Sequence, residues 1–174
     1  KKMGKIFQSE SLYPELKDVV NNFDILKNEI FTLKTKMNFL NDVRVAKDVW
    51  NIFPLLPEEE DRVAFSDEVL LKNQQLAKKS NEILSSIPVL KAYCFSSLSP
   101  KGHIKPHKHD NPYVTAILCL QDGGSSYIVV ENQKKYFKNK ELIIFDYTMK
   151  HEVYNNGTED RIVLLMLLKN RMLN

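Results

Sequence analysis

The sequence predicts a mainly β fold of the α+β class, an eight-stranded jelly roll with N-terminal helices packed against it. Three observations carry this expectation. After Pro88 the chain breaks into short β-branched or aromatic runs: VLKAYCFSSL, HIKPH, YVTAILCL, SYIVVE, KKYF, ELIIFDY, HEVYN and RIVLLMLL. Turn-forming residues separate them, including Ser99-Pro100-Lys101-Gly102, Asp110-Asn111-Pro112, Gln121-Asp122-Gly123-Gly124, Glu131-Asn132 and Asn155-Asn156-Gly157. Before Pro88, apolar residues recur at helical spacing instead. Evenly spaced short strands with such punctuation indicate a sandwich or barrel, and eight antiparallel strands suit a jelly roll.

Taken in order, Ser11 to Lys36 reads as an amphipathic helix on Leu16, Val19, Val20, Phe23, Leu26, Ile30 and Leu33. Pro14 falls in its first turn, where a missing N–H costs nothing. Trp50 to Asp61, WNIFPLLPEEED, holds two prolines and reads as a strand or extended segment running into a loop. A second helix is expected over Asp67 to Ser86, on Leu70, Leu71, Leu76, Ile83 and Leu84, stopping before Pro88. There is no repeat, low-complexity tract or Gly/Ser linker. The 174 residues therefore read as a single domain, mainly helical over 1–87 with a jelly-roll core over 88–170, and large enough to bury a core without staples.

Composition narrows the function classes. Apolar residues at 43% and charged residues at 27% are ordinary for a soluble globular protein. The net charge of +3 is spread along the chain in single or paired lysines, so neither a basic block nor an interleaved aromatic platform points to nucleic acid. Two cysteines, Cys94 and Cys119, cannot build a disulfide framework or a zinc knuckle; both sit in apolar runs, which fits a reducing cytoplasm. No segment reaches the roughly 18 apolar residues of a membrane span. The opening KKMGKIFQSE lacks the apolar stretch of a signal peptide.

Chemistry concentrates in HIKPHKHD, where His103, His107 and His109 and then Asp110 occupy eight positions; the fourth histidine, His151, lies far downstream. Strand alternation puts His103, Lys105 and His107 on one face, opposite Ile104 and Pro106, with His109 joining the first face if the strand continues. Two imidazoles from separate strands with a third nearby match the preference of Fe(II), Cu and Zn for nitrogen ligands. On spacing alone, three imidazoles on a solvated turn remain the competing reading. Arg161 stands out independently. Only four of the 25 basic residues are arginine, and this one opens the most apolar strand of the chain. A planar bidentate donor suits a carboxylate held in a semi-buried pocket, whereas an exposed strand-edge cation after Thr158-Glu159-Asp160 is the plainer alternative.

Two stretches carry a family resemblance. IPVLKAYCFSSLSPKGHIKPH and ELIIFDYTMKHEVYNNGTEDRIVLLMLL resemble segments of the aspartyl/asparaginyl β-hydroxylase-like proteins, with matches at Phe95, Ser96, Leu98, Pro100, Ile104, Pro106, His107, Phe145, Asp146, His151, Glu152, Val153, Asn155 and Arg161. The first helical stretch and WNIFPL also look like the family's N-terminal portion. The resemblance implies an iron(II)- and 2-oxoglutarate-dependent oxygenase on a double-stranded β-helix. It implies His107 and His151 as iron ligands, Arg161 as the salt-bridge partner of the 2-oxoglutarate distal carboxylate, and Ser96 as a hydrogen-bond partner of the same cosubstrate. Its substrate would be an aspartyl or asparaginyl residue in a peptide, or a free amino acid or derivative, hydroxylated with O2 at an unactivated C–H.

Departures from the pattern matter too. A 2-His-1-carboxylate site needs an acid two residues past His107, where His109 stands; Asp110 is one further, and alternation turns it away. Some family members lack that carboxylate, so a two-histidine site and a three-nitrogen site using His109 both stay open. The family's second basic contact falls near Thr115, and Tyr147 and Lys140 stand where an acid and a glycine are usual. The rival class is a cupin, a metal-binding protein or thiol- or sugar-directed enzyme without 2-oxoglutarate. His107-Lys108-His109 and HEVYN fit its motifs, but the expected glutamate is missing from DNPYVTA and the Ser96 and Arg161 matches go unexplained. Substrate contacts are expected from Asp110 to Tyr113, Asn51 to Asp61 and the helical half.

Overall fold

All eight runs after Pro88 form strands in the computed structural model, which describes residues 5–36, 38–39, 49–59 and 64–172. In chain order the elements are α1 (Leu16–Asn21), α2 (Phe23–Leu33), β1 (Asn38–Phe39), β2 (Trp50–Leu56), α3 (Asp67–Leu76), α4 (Lys78–Ser85), β3 (Ala92–Leu98) and β4 (His103–His107). There follow β5 (Tyr113–Gln121), β6 (Ser126–Val130), β7 (Gln133–Tyr136), β8 (Leu142–Asp146), β9 (His151–Asn155) and β10 (Arg161–Lys169). The strands make a six-stranded sheet, β1-β2-β3-β10-β5-β8, and a four-stranded sheet, β4-β9-β6-β7, antiparallel throughout. The fold is therefore the expected mainly β jelly roll, with WNIFPLL adding strand β2. Residues 60 and 61 of the expected Trp50–Asp61 segment lie outside the described residues.

Burial explains why some runs alternate and others do not. One face of the larger sheet packs on the helices, where Phe53, Phe95, Leu118 and Leu164 meet Leu16, Leu26, Ile30 and Leu84. Its other face packs inside the roll, where Ile117, Phe145 and Val163 meet Ile104, Ile128 and Val153 of the smaller sheet. The central strands β5 and β10 are buried on both faces and so are apolar almost throughout. In β6 and β9, buried and half-buried positions alternate, as a sheet with one wet face requires.

Neither expected long helix is continuous. The first breaks at Asn22 (φ −99°, ψ 20°), whose side-chain amide donates to the Asp18 carbonyl and so competes with the helical ladder. Single 3-10 turns flank it at Glu10–Leu12 and Lys34–Lys36, and Pro14 lies in a turn ahead of α1. The second breaks at Ala77 (φ −102°, ψ 50°). There the first-turn N–H groups of Lys79 and Ser80 donate to the Glu29 carboxylate of α2 at 3.1 and 2.7 Å, a tertiary cap that fixes where α4 begins. The kink turns α3, so that Leu71, expected in the core, is 57% exposed, while Asn73 is buried and donates to the Pro54 carbonyl.

Two turn positions have stability consequences. A Cβ on Gly157 would lie 1.9 Å from the Gly123 carbonyl oxygen, because the β5–β6 and β9–β10 loops cross in contact. Gly157→Ala is therefore expected to cost about 2–3 kcal/mol, read as a lower urea midpoint at unchanged slope. Lys140, at the family's usual glycine position, has φ 70°. Lys140→Gly should relieve that left-handed strain and raise stability by about 1 kcal/mol in the same measurement.

Candidate metal centre

His107 and His151 face each other as cross-strand partners on β4 and β9. Ile104 pairs with Val153, so a regular ladder would have brought Pro106 opposite His151; a bulge inserts one residue and brings His107 there instead. Pro106 has no N–H to contribute to a ladder, which suits it to a bulge. This corrects the alternation reading. His107 shares the inner face with Ile104, and His103 is separated from it, stacking on Tyr154 at 4.1 Å between centroids and pairing with Glu152 at 3.0 Å.

His109 follows on the loop after β4 and also turns inward. The candidate ligand nitrogens of His107, His109 and His151 all lie within 4.8 Å of one another. A shared ion about 2.1 Å from each would need separations up to ~4.2 Å, which a small side-chain rotation would give. Asp110 is exposed and does not join the group. The rings of His107 and His151 are held alike. Each Nδ1 lies within hydrogen-bond distance of a backbone carbonyl two residues earlier, Lys105 at 2.8 Å and Met149 at 2.7 Å. A carbonyl only accepts, so Nδ1 carries the proton and Nε2 keeps its lone pair for a metal. Burial, reinforced by the neighbouring His107 ring, pushes the His151 imidazole down to about 3, so it is neutral at pH 7 as a ligand must be. The donor chemistry fits a divalent ion that prefers nitrogen.

The three histidines line a cavity of about 350 Å³ between the sheets, within the usual range for a small-molecule site. Arg161, at the opposite end of the inner face, lines it too, 2% exposed and with its guanidinium 5.1 Å from the Phe137 ring centre. Its Nη2 donates to Ser96 Oγ at 3.3 Å, while its buried Nε has no hydrogen-bond partner. The exposed strand-edge alternative is thereby excluded. No acid among the described residues pairs with it: Asp160 pairs with Lys34, and Asp146 accepts from Thr148 and Asn170. Burial lowers its pKa to about 10, which still leaves it charged at neutral pH. A buried cation with no acid beside it, lining a cavity, is arranged for an anion.

Ser96, fully buried, also accepts from Trp50 Nε1, so its own hydroxyl proton remains for a third group. Nothing in the sequence reading assigned Trp50 this part. Thr115, at the position of the missing basic contact, is buried and lines the cavity with a hydroxyl instead. The expected substrate segments enter unequally. Ile52, Pro54, Leu56 and Glu58 line the cavity, whereas Asp110 to Tyr113 do not, although Asn111 donates to Glu58.

Residues 14–171 match the family described as aspartyl/asparaginyl beta-hydroxylase, and the chain belongs to that family. No curated protein matches it. Similar solved structures include a predicted oxalate decarboxylase from Thermotoga maritima (14% identity, TM-score 0.48, covering 78% of this chain and 96% of that one). Others are the Schizosaccharomyces pombe Cnp3 cupin domain (11%, 0.47, 75% and 72%) and the Cupin_2 domain of an XRE-family transcriptional regulator from Enterobacter cloacae (10%, 0.46, 71% and 100%). Among the described residues no helix is long and apolar enough to cross a membrane.

Proposed function

We propose that the protein is an Fe(II)- and 2-oxoglutarate-dependent dioxygenase that hydroxylates an unactivated C–H of an amino acid, an amino-acid derivative or a peptidyl Asp or Asn. The observation that carries this is Arg161, a buried guanidinium with no acid partner among the described residues, lining the cavity that three imidazoles share. A dicarboxylate spans such a pair of sites, one end on the cation and the other on a metal. His107, His151 and His109 would hold Fe(II). Arg161 and the free hydroxyl proton of Ser96 would hold the distal carboxylate, with Trp50 keeping the Ser96 oxygen in place. Bound iron supplies the oxidising chemistry, in which 2-oxoglutarate and O2 yield succinate and CO2 and one oxygen atom enters the substrate. The apolar walls, among them Ile117, Leu165 and Leu167, exclude water from that reaction. In this reading the chain works as one domain in a reducing cytoplasm, on a small-molecule or peptide substrate and without nucleic acid.

Anaerobic protein loaded with Fe(II) should develop the weak visible charge-transfer absorption of an iron-bound 2-oxo acid on titration with 2-oxoglutarate. Metal uptake without that absorption, and without saturable binding of 2-oxoglutarate, would overturn the proposal. The all-nitrogen ligand set would then favour a cupin-type metal protein that does not use 2-oxoglutarate.

A further inference from the structure

We infer that Tyr147 is a positioning residue for the third metal ligand, holding the His109 ring in place by a face-to-face stack; the inference rests on the metal-site reading above. His109 lies on a loop, so no strand ladder fixes its side chain. Its backbone N–H donates to the Tyr147 carbonyl at 3.2 Å, and the Tyr147 N–H donates to the Tyr113 carbonyl at 3.0 Å, which brings the two residues side by side. The two rings then lie parallel, 3.8 Å between centroids and 9° between planes. A ring stacked this closely loses rotation about its own axis, the freedom that would carry its nitrogen away from His107 and His151.

Tyr147 is itself well fixed. It occupies the second position of a β-turn closed by Met149 N–H to Asp146 C=O at 3.0 Å, and Asp146 Oδ1 accepts from the Thr148 N–H inside the turn. The same turn presents the Met149 carbonyl that holds His151 Nδ1. One four-residue turn therefore orients two of the three imidazoles, His151 through a hydrogen bond and His109 through a stack. Where the family's usual acid stands after Asp146, this chain places an aromatic ring against the histidine that stands at the position of the carboxylate ligand. The two departures are coupled in space.

The inference is tested by anaerobic titration of the metal-free protein with Co(II), whose visible absorption reports coordination number. Tyr147→Leu is expected to weaken Co(II) binding roughly tenfold to a hundredfold and alter the spectrum, as loss of a ligand-orienting partner does, while Tyr147→Phe keeps the ring and stays within about twofold. Adding Tyr147→Leu to His109→Ala should lose nothing further, because the two act as one unit. The inference is overturned if Tyr147→Leu lowers the melting temperature but leaves Co(II) affinity and spectrum unchanged, or if the two losses simply add. It also falls if His109→Ala leaves Co(II) affinity intact while His107→Ala abolishes it, which would leave a two-histidine centre and the proposed function standing. If none of the three histidines affects Co(II) binding, the metal-site reading fails with it.

Discussion

Replacing His151 by alanine is expected to abolish tight binding of a divalent metal while leaving the jelly roll folded. Apparent free energies of roughly 10–16 kcal/mol for a four-ligand structural zinc site scale to on the order of 3 kcal/mol per ligand, or about a hundredfold in affinity, for each one removed. His151 should sit at or above that figure, because its Nε2 is presented by a buried ring already fixed through Met149. His107→Ala should behave alike, since the two rings share a cross-strand pair and the same mode of anchoring. His103→Ala is the informative control: its ring stacks on Tyr154 outside the cavity, so metal affinity should not move. Calorimetric titration with Fe(II) under anaerobic conditions checks all three. Equal losses for His103 and His107 would mean that the bulge is absent in solution and the alternating strand is right.

Arg161→Leu is expected to change two quantities in opposite directions. The guanidinium is buried with no acid beside it among the described residues, so the folded protein carries an uncompensated desolvation cost. Leucine in its place should stabilise the metal-free, cosubstrate-free protein by about 1–3 kcal/mol, raising its melting temperature by roughly 2–4 °C for each kcal/mol in a chain of this size. The same change should remove saturable 2-oxoglutarate binding. Arg161→Lys keeps the charge but not the planar fork and should weaken the cosubstrate by roughly tenfold to a hundredfold, the worth of a charge-assisted hydrogen bond. Metal affinity should be unchanged in both variants, because no imidazole touches this residue. A structural arginine would behave otherwise: its removal would lower the melting temperature and leave the 2-oxoglutarate titration as it was. Thermal denaturation and cosubstrate titration on the same two proteins separate these outcomes. Stability set aside at one buried position for a bound anion is a common trade at functional sites.

Much of this architecture follows from local pattern. Each of the eight strands after Pro88 is a run bounded by turn residues, and the doubly buried strands announce themselves by unbroken apolar stretches such as RIVLLMLL. Arg161 was conspicuous because a charge that opens such a strand has few reasons to be there. The helical faces were legible as well, for Leu16, Val19, Leu26 and Ile30 are all buried. The helix breaks were not, because the second depends on Glu29 reaching Lys79 and Ser80 fifty residues away. The histidines divide in the same way. Residue types and spacing in HIKPHKHD pointed to a metal, and so did the match at His151. Which rings turn inward was decided by how β4 pairs with β9, since alternation is a property of one strand and a bulge is a property of two. Tyr147 appeared in the sequence only as a departure from a pattern. Its contact with His109 exists because a turn and a loop separated in sequence by β5, β6, β7 and β8 meet in the folded chain.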